Sequence, residues 1–290
     1  MIQKYLFLDI DNTLYSGRQG IVPESAREAV KQARENGSKI FLCTGRSKAE
    51  ASDYLEYPVD GFIFSSGSRC EVDGRVIYDH PISKQNVEKI SQIVRSFGMG
   101  LLLGGAKMAY LDDKCYREVE TYLTQKGGDE AERQKAMEKN GMHHMEERDP
   151  EDPIYKLGAS NLRGVSFEPL INALPKPFRM IQTLDSPTAV FWDISDGSIM
   201  KKDGIQKILE YFGADLQDAV GIGDSGNDTD MLEVCGIGIA MGNADEDVKQ
   251  IADWVTTDID EDGIRNAFLH IRVICNRGNY ETRYRDLFTV

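Results

Sequence analysis

Residues 1–17 read MIQKYLFLDIDNTLYSG, and this stretch decides the fold. KYLFLDI is a short apolar run, rich in β-formers and sharply ended, which predicts a buried strand. It runs directly into two carboxylates, Asp9 and Asp11, within DIDNT. Like charges about 4 Å apart repel by roughly 4 kcal/mol at an effective dielectric near 20, so the fold must bring them a partner.

Outward from there, PESAREAVKQARENG places Pro23 at a first helical position, apolar residues at helical spacing and Gly37 as a stop, which predicts a helix. SKIFLCTGR and DGFIFSSGS predict two more buried strands, ending at Thr44-Gly45 and at Ser66. Strand, helix, strand, helix, strand is the rhythm of a parallel sheet covered on both faces. Ligands of such sheets gather beyond the carboxyl ends of the strands, where Asp9, Asp11, Thr44 and Ser66 fall. RCEVDGRVIYDH then breaks the rhythm with a hairpin around Asp73-Gly74.

Residues 81–193 read as an α+β insert, with an amphipathic helix (ISKQNVEKISQIVRSFG), extended MGLLLGG and KMAYLDD, a charged helical stretch at 114–139, and strands near IYKLGAS and AVFWDIS. DEAERQKAMEKNGMHHMEERDPEDP is its most polar part and reads as a solvated helix and loop. The parallel rhythm resumes after Lys201 through DGIQKILEYFG, DAVGIGD, DTDMLEVCG, GIGIAMGN, EDVKQIAD and WVTTD. The expectation is an α/β chain whose Rossmann-like, doubly wound core spans residues 1–80 and 194–290 around an inserted α+β domain at 81–193.

At 290 residues there is ample material for a core. Forty-eight acids against 34 bases give a net charge of −14, which argues against a nucleic-acid binder. Any anionic substrate must be held by local positive charge. Five scattered cysteines without a C-x-x-C pair read as reduced and cytoplasmic. No stretch has the length and apolarity of a membrane span, and MIQKYLFLDID reaches acids too soon for a signal peptide.

GIGDSGNDTDML is a second acidic cluster at a strand end, presenting Asp224, Asn227 and Asp228 in a glycine-rich loop. If both strand ends meet, Asp9, Asp11 and Asp224 make an oxygen-rich pocket for a hard divalent cation. Mg²⁺, which keeps several waters and binds few carboxylates plus a substrate phosphate, fits better than Ca²⁺. Together with Lys201 or Lys202 at a helix start and Thr44 beside a glycine, such a site has the parts phosphoryl transfer needs. One aspartate can attack phosphorus. Asp11, two residues on in an extended segment, is placed to protonate the leaving alcohol and then activate water.

DIDNT at 9–13, CTGR at 43–46, Lys201 and GDSGND at 223–228 resemble the four ordered motifs of the haloacid dehalogenase superfamily. The position of the insert and GIGIAMGNADEDVKQIADWVTTDIDEDGI resemble its Cof-type (subfamily IIB) phosphatases. The resemblance implies Asp9 as nucleophile and metal ligand, Asp11 as acid/base giving its backbone carbonyl to the metal, and Asp224 as third ligand. It further implies that Thr44, Gly45, Lys201 and Asn227 bind phosphate, that Asp228 steadies the metal waters or the lysine, and that the insert is a C2-type cap selecting the substrate. Departures fall at Ser66-Gly67, where relatives commonly carry Asn-Gly, at Lys202, where glycine is frequent, and in the tail after Phe268.

DIDNT alone favours an N-cap or Asx-turn; the four motifs in order favour the site. Gly221-Ile222-Gly223-Asp224-Ser225-Gly226 matches a dinucleotide fingerprint, but Asp224 would point a carboxylate at the pyrophosphate. DIDEDG from Asp258 starts like a calcium loop but carries Leu269 in place of its closing glutamate. His143-His144 reads as surface, Cys43 as core packing, and the insert's aromatics as its core. The expected function is Mg²⁺-dependent hydrolysis of a small phosphorylated metabolite, a phosphosugar first, through an aspartyl-phosphate. The rivals are a phosphosugar mutase, which would release no phosphate, and a non-catalytic phosphometabolite-binding protein, which would need neither Asp9 nor Asp11.

Overall fold

The computed structural model describes residues 4–275, apart from the side chain of Lys126. Most of the tail that follows Phe268 therefore lies outside the described residues. The chain begins with β1 (Tyr5–Leu8), α1 (Glu24–Glu35), β2 (Lys39–Cys43), β3 (Gly61–Phe64), β4 (Arg69–Val72) and β5 (Arg75–Asp79). Every residue of β1 and β3 is buried, as strands covered on both faces require. Asp73 and Gly74, both at positive φ, turn β4 into β5 as an antiparallel hairpin. Between β2 and β3 the expected helix is instead one 3₁₀ turn at Ser52–Tyr54. Ser52 and Asp53 turn to the insert there, Ser52 Oγ donating to the Lys139 carbonyl at 2.6 Å and Asp53 pairing with the Lys139 ammonium, and Pro58 bars continuation.

The insert supplies α2 (Lys84–Ser96), β6 (Gly100–Gly105), β7 (Ala109–Leu111), α3 (Asp113–Lys126), α4 (Glu130–Lys139), β8 (Met142–His144), β9 (Ile154–Leu162), α5 (Glu168–Ala173), β10 (Phe178–Asp185) and β11 (Ala189–Asp196). The charged stretch at 114–139 is two helices, because Gly127 and Gly128 at φ +92° and +90° break it. Its strands form a separate six-stranded sheet in the order β10-β11-β9-β6-β7-β8. One apolar cluster beside this sheet includes Ile90, Leu101, Tyr110, Leu157 and Ile194, and another Leu102, Leu111, Cys115 and Met137. His144 stacks on Tyr116 with ring centroids 3.9 Å apart, and His143 pairs with Glu147, so both histidines are engaged at the surface.

The remaining elements are α6 (Lys201–Phe212), β12 (Ala219–Gly223), α7 (Thr229–Val234), β13 (Ile237–Ala240), α8 (Glu246–Ile251), β14 (Trp254–Val255) and α9 (Gly263–His270). The first sheet runs β14-β13-β12-β1-β2-β3-β4-β5, parallel from β14 to β3. Helix α1 packs with α9, and α6 with α7, giving the doubly wound arrangement with an inserted cap. Arg18 pairs with Asp258 and Asp260, so the DIDEDG stretch is a charge-paired turn. Among the described residues no helix is long and apolar enough to cross a membrane.

Candidate active site

Strand pairing carries the two acidic motifs together. β1 and β12 are parallel neighbours with Leu8 opposite Ile222, and the Asp9 amide donates to the Ile222 carbonyl at 2.9 Å. Asp9 and Asp224 thus leave the same edge of the sheet. On the other side of β1, β2 delivers Thr44, whose amide donates to Ile63 at 2.8 Å, and the Ser66 amide donates to Thr44 at 2.9 Å. Ser66 and Gly67 take positive φ, and a Cβ on Gly67 would collide with the Met200 carbonyl, so this turn seats the start of α6. Lys201 follows immediately. It is fully buried, with its Nζ donating to Asp9 Oδ1 at 2.6 Å and Asp228 Oδ1 at 2.5 Å. Lys202 instead gives its backbone N–H to Asp230, so Lys201 is the lysine at the carboxylates.

Asp9, Asp224 and Asp228, all buried, each offer an oxygen within 4.8 Å of the others. Asp228 is committed: besides Lys201, its Oδ2 accepts the backbone N–H groups of Asp224 and Ser225, both at 3.1 Å. Those are the amides a dinucleotide pyrophosphate would require, which removes the fingerprint reading. Thr13 donates to Asp224 Oδ1 at 2.7 Å. One oxygen each of Asp9 and Asp224 has no hydrogen bond among the described residues. Three carboxylates thus crowd one ammonium. Burial and then Asp228 push the Asp9 carboxyl well above its ordinary value, against the pull of Lys201. Burial pushes Asp224 up to about 7, despite the Thr13 hydrogen bond. Burial works against the Lys201 charge, but Asp228 and Asp9 more than offset it. An all-oxygen, over-acidic cluster of this kind suits a hard divalent ion.

The Asp11 carboxylate lies outside that cluster, contrary to the pocket expected of Asp9, Asp11 and Asp224. The extended backbone ends at Asp9, and the Ile10 carbonyl accepts the amides of Leu14 and Tyr15, so the two aspartates no longer follow strand alternation. Arg46 holds Asp11 through two hydrogen bonds, Nε to Oδ2 at 2.9 Å and Nη2 to Oδ1 at 2.6 Å. The opening pair of acids therefore has two basic partners, Lys201 for Asp9 and Arg46 for Asp11. Of the residues expected at phosphate, Thr44 is buried with its Oγ1 accepting the Arg46 amide. A Cβ on Gly45 would lie 3.5 Å from Ser66 Oγ and 3.8 Å from Asn227 Nδ2, so these three residues line one spot. Asn227 Oδ1 accepts from Ser225, which leaves Nδ2 as the donor there. Cys43 is fully buried and its thiol is pushed up by burial, in keeping with packing.

Arg46 was visible only as the last letter of CTGR; its pairing depends on a turn that periodicity does not report. Glu50, whose Oε2 accepts the Ser47 amide at 2.8 Å, and Lys156 on β9, 3.1 Å from the same oxygen, had no sequence signal at all.

The fold and these strand-end acids define a class, and the comparisons agree with it. A family model for haloacid dehalogenase-like hydrolases matches residues 6–268. The chain belongs to that family, in its Cof-type subclass IIB, and is an enzyme of the phosphomonoesterase type. Phosphatase YwpJ of Bacillus subtilis (strain 168) is 25% identical over 289 residues, covering 92% of this chain and 99% of that protein. The 5-amino-6-(5-phospho-D-ribitylamino)uracil phosphatase YwtE of the same organism is 27% identical over 291 residues, covering 90% and 95%. Among solved structures, the HAD subclass IIB sugar phosphatase BT4131 is 28% identical with a TM-score of 0.73, covering 94% of this chain and all of that one.

Proposed function

We propose that the protein is a Mg²⁺-dependent phosphatase that hydrolyses a small phosphorylated metabolite of the phosphosugar class through an aspartyl-phosphate on Asp9. The observation that carries the reading is a buried Asp9 whose one oxygen is held by Lys201 and whose other has no hydrogen bond among the described residues, on the strand next to the one that ends at Thr44 and Gly45. Mg²⁺ held by Asp9, Asp224 and the Asp11 backbone carbonyl would neutralise the clustered carboxylates and the non-bridging phosphate oxygens. Asn227 Nδ2, the Thr44 hydroxyl and Lys201 supply donors for the same oxygens.

In the first half-reaction Asp9 attacks phosphorus, and protonated Asp11 gives its proton to the departing alcohol oxygen. In the second, Asp11 takes a proton from water as that water attacks phosphorus, and Asp9 leaves as a carboxylate. The Arg46 fork holds the Asp11 carboxylate at two points and so fixes its position in both halves. The residues of 81–193 act as the cap that selects the leaving group. A phosphosugar comes first because a subclass IIB relative is named a sugar phosphatase; the ribitylaminouracil phosphate named for YwtE keeps nucleotide-like substrates second. A cytoplasmic location is supported by five cysteines that are all unpaired.

Asp9→Asn should abolish Mg²⁺-dependent phosphate release from 4-nitrophenyl phosphate while the circular-dichroism spectrum and melting stay native. Turnover by that variant at wild-type rates would refute Asp9 as nucleophile. Isomerised phosphosugar without free phosphate would point to the mutase instead.

A further inference from the structure

Lys156 is a buried lysine that the proposed chemistry does not use. It sits on β9 of the cap, 4% exposed, with Nζ 2.6 Å from Asp193 Oδ2 on β11 and 3.1 Å from Glu50 Oε2. Glu50 belongs to the other side of the molecule, in the loop that follows the CTGR motif. The same Glu50 oxygen accepts the Ser47 amide at 2.8 Å, and the Glu50 backbone carbonyl accepts Arg46 Nη1 at 3.2 Å. Arg46 in turn grips both oxygens of Asp11. The loop is tied to the cap a second time, by Ser52 Oγ donating to the Lys139 carbonyl at 2.6 Å and Asp53 pairing with Lys139 Nζ at 2.7 Å, but the Glu50 contact lies nearer Arg46 in the chain.

The cap is shaped for this contact. At Gly104 on β6 a Cβ would come 2.8 Å from Lys156 Cγ and 3.1 Å from Ser47 Cβ and Oγ, so a hydrogen there lets the lysine stem and Ser47 meet. Burial opposes the charge of Glu50, yet Lys156 and the Ser47 amide hold its carboxyl below the ordinary value. Burial likewise opposes the Lys156 charge, and Asp193 and Glu50 outweigh it. Lys156 thereby pairs with two carboxylates, Asp193 on the cap and Glu50 on the Arg46 loop.

Resting on the acid/base reading of Asp11, we infer that Lys156 is a positioning residue for the reaction: by holding Glu50 it sets the Arg46 loop, and through Arg46 the Asp11 carboxylate. A carboxylate held at two points is fixed in place for the attacking water. The step that depends on Lys156 is therefore hydrolysis of the phosphoenzyme, in which the water O–P bond forms, the Asp9 O–P bond breaks and the water proton passes to Asp11.

The test is rapid-mix kinetics of Lys156→Met, Lys156→Arg and wild type with 4-nitrophenyl phosphate and Mg²⁺. This leaving group needs little protonation, so the burst of 4-nitrophenolate reports the first half-reaction and the steady state the second. Lys156→Met should keep the burst rate while kcat falls about tenfold or more. Lys156→Arg should recover most of kcat. Amide exchange at Ser47 should be faster in Lys156→Met than in wild type. If Lys156→Met does not fold, the triple variant Lys156→Gln/Glu50→Gln/Asp193→Asn, which leaves none of the three charges between loop and cap, carries the same expectations. Burst rate and kcat falling together, an unchanged kcat, a raised KM with kcat intact, or unaltered Ser47 exchange would overturn the inference. A wild-type chain that releases no phosphate would overturn the phosphatase reading itself.

Discussion

Two buried lysines in this protein each sit between two carboxylates, and they do opposite things. Lys201 lies between Asp9 and Asp228 at the edge of the first sheet. Lys156 lies between Glu50 and Asp193 where the second sheet meets the first. Around Lys201 a third carboxylate, Asp224, leaves the group over-acidic and drives Asp9 and Asp224 toward the protonated form. Around Lys156 the ammonium and the Ser47 amide hold Glu50 below its ordinary value, while burial pushes Asp193 up. A lysine shared by two acids is thus either a reactive centre short of positive charge or a brace between two elements. The surrounding donors decide which.

The largest effect should follow from removing the ammonium at the reactive centre. Lys201→Met strands Asp9 and Asp228 in a buried site, and breaking a buried pair by deleting one partner costs about 3–5 kcal/mol. In metal-free buffer at neutral pH the variant should unfold at much lower urea than wild type, and Mg²⁺ should restore part of the loss while activity stays absent. A variant as stable as wild type without metal would mean that the carboxylates there already carry protons, and the contrast between the two lysines would vanish.

A somewhat smaller effect distinguishes the clusters by pH. Asp224 titrates near 7 in the folded chain and near 3.9 unfolded, so between those values the folded state binds the extra proton. Stability of metal-free protein should therefore fall as pH rises from about 4 to about 7, by up to roughly 4 kcal/mol from this group. Saturating Mg²⁺ should flatten that slope and add about 2.7 kcal/mol at a hundredfold excess over its Kd. Asp224→Asn should remove this group's share of the slope, leaving that of Asp9, and most of the Mg²⁺ response. Urea titrations at several pH values, with and without Mg²⁺, read all three.

The reactive cluster was far more legible in the sequence than the brace, for physical reasons. Its strands are runs buried on both faces, such as YLFL and GFIF, ended abruptly by acids or small polar residues. Motif order then placed Asp9, Lys201 and Asp224 at one edge before any coordinates. What failed was local geometry past a strand end. The turn at Ile10 sends Asp11 to Arg46, and the segment after CTGR makes a 3₁₀ turn where a helix was expected. In the cap, β10 carries Arg179, Gln182 and Thr183 on a largely half-buried or exposed strand, so no apolar run announced it. Helix α9 was hidden because its apolar residues answer to α1, far away in sequence. Lys156 and Glu50 meet only where the cap sheet packs on the loop after β2, and no period in either segment encodes that.

The smallest effect tests the brace as a charge pair. Glu50→Gln keeps an oxygen for the Ser47 amide and leaves Lys156 compensated by Asp193, so no lone charge is buried. The cost should be about 1 kcal/mol, well below that of Lys201→Met. Its pH dependence has the opposite sign to that of Asp224. Because folding lowers the Glu50 value, its contribution is complete above the unfolded value of about 4.3 and fades as pH falls through the folded one. The stability gap between wild type and Glu50→Gln should accordingly be constant at neutral pH and close only in acid below about pH 4, beneath the range in which Asp224 of metal-free protein gains stability. A gap that persists unchanged well below that pH would show that Glu50 braces the loop by shape and hydrogen bonding, with the Lys156 charge irrelevant to it.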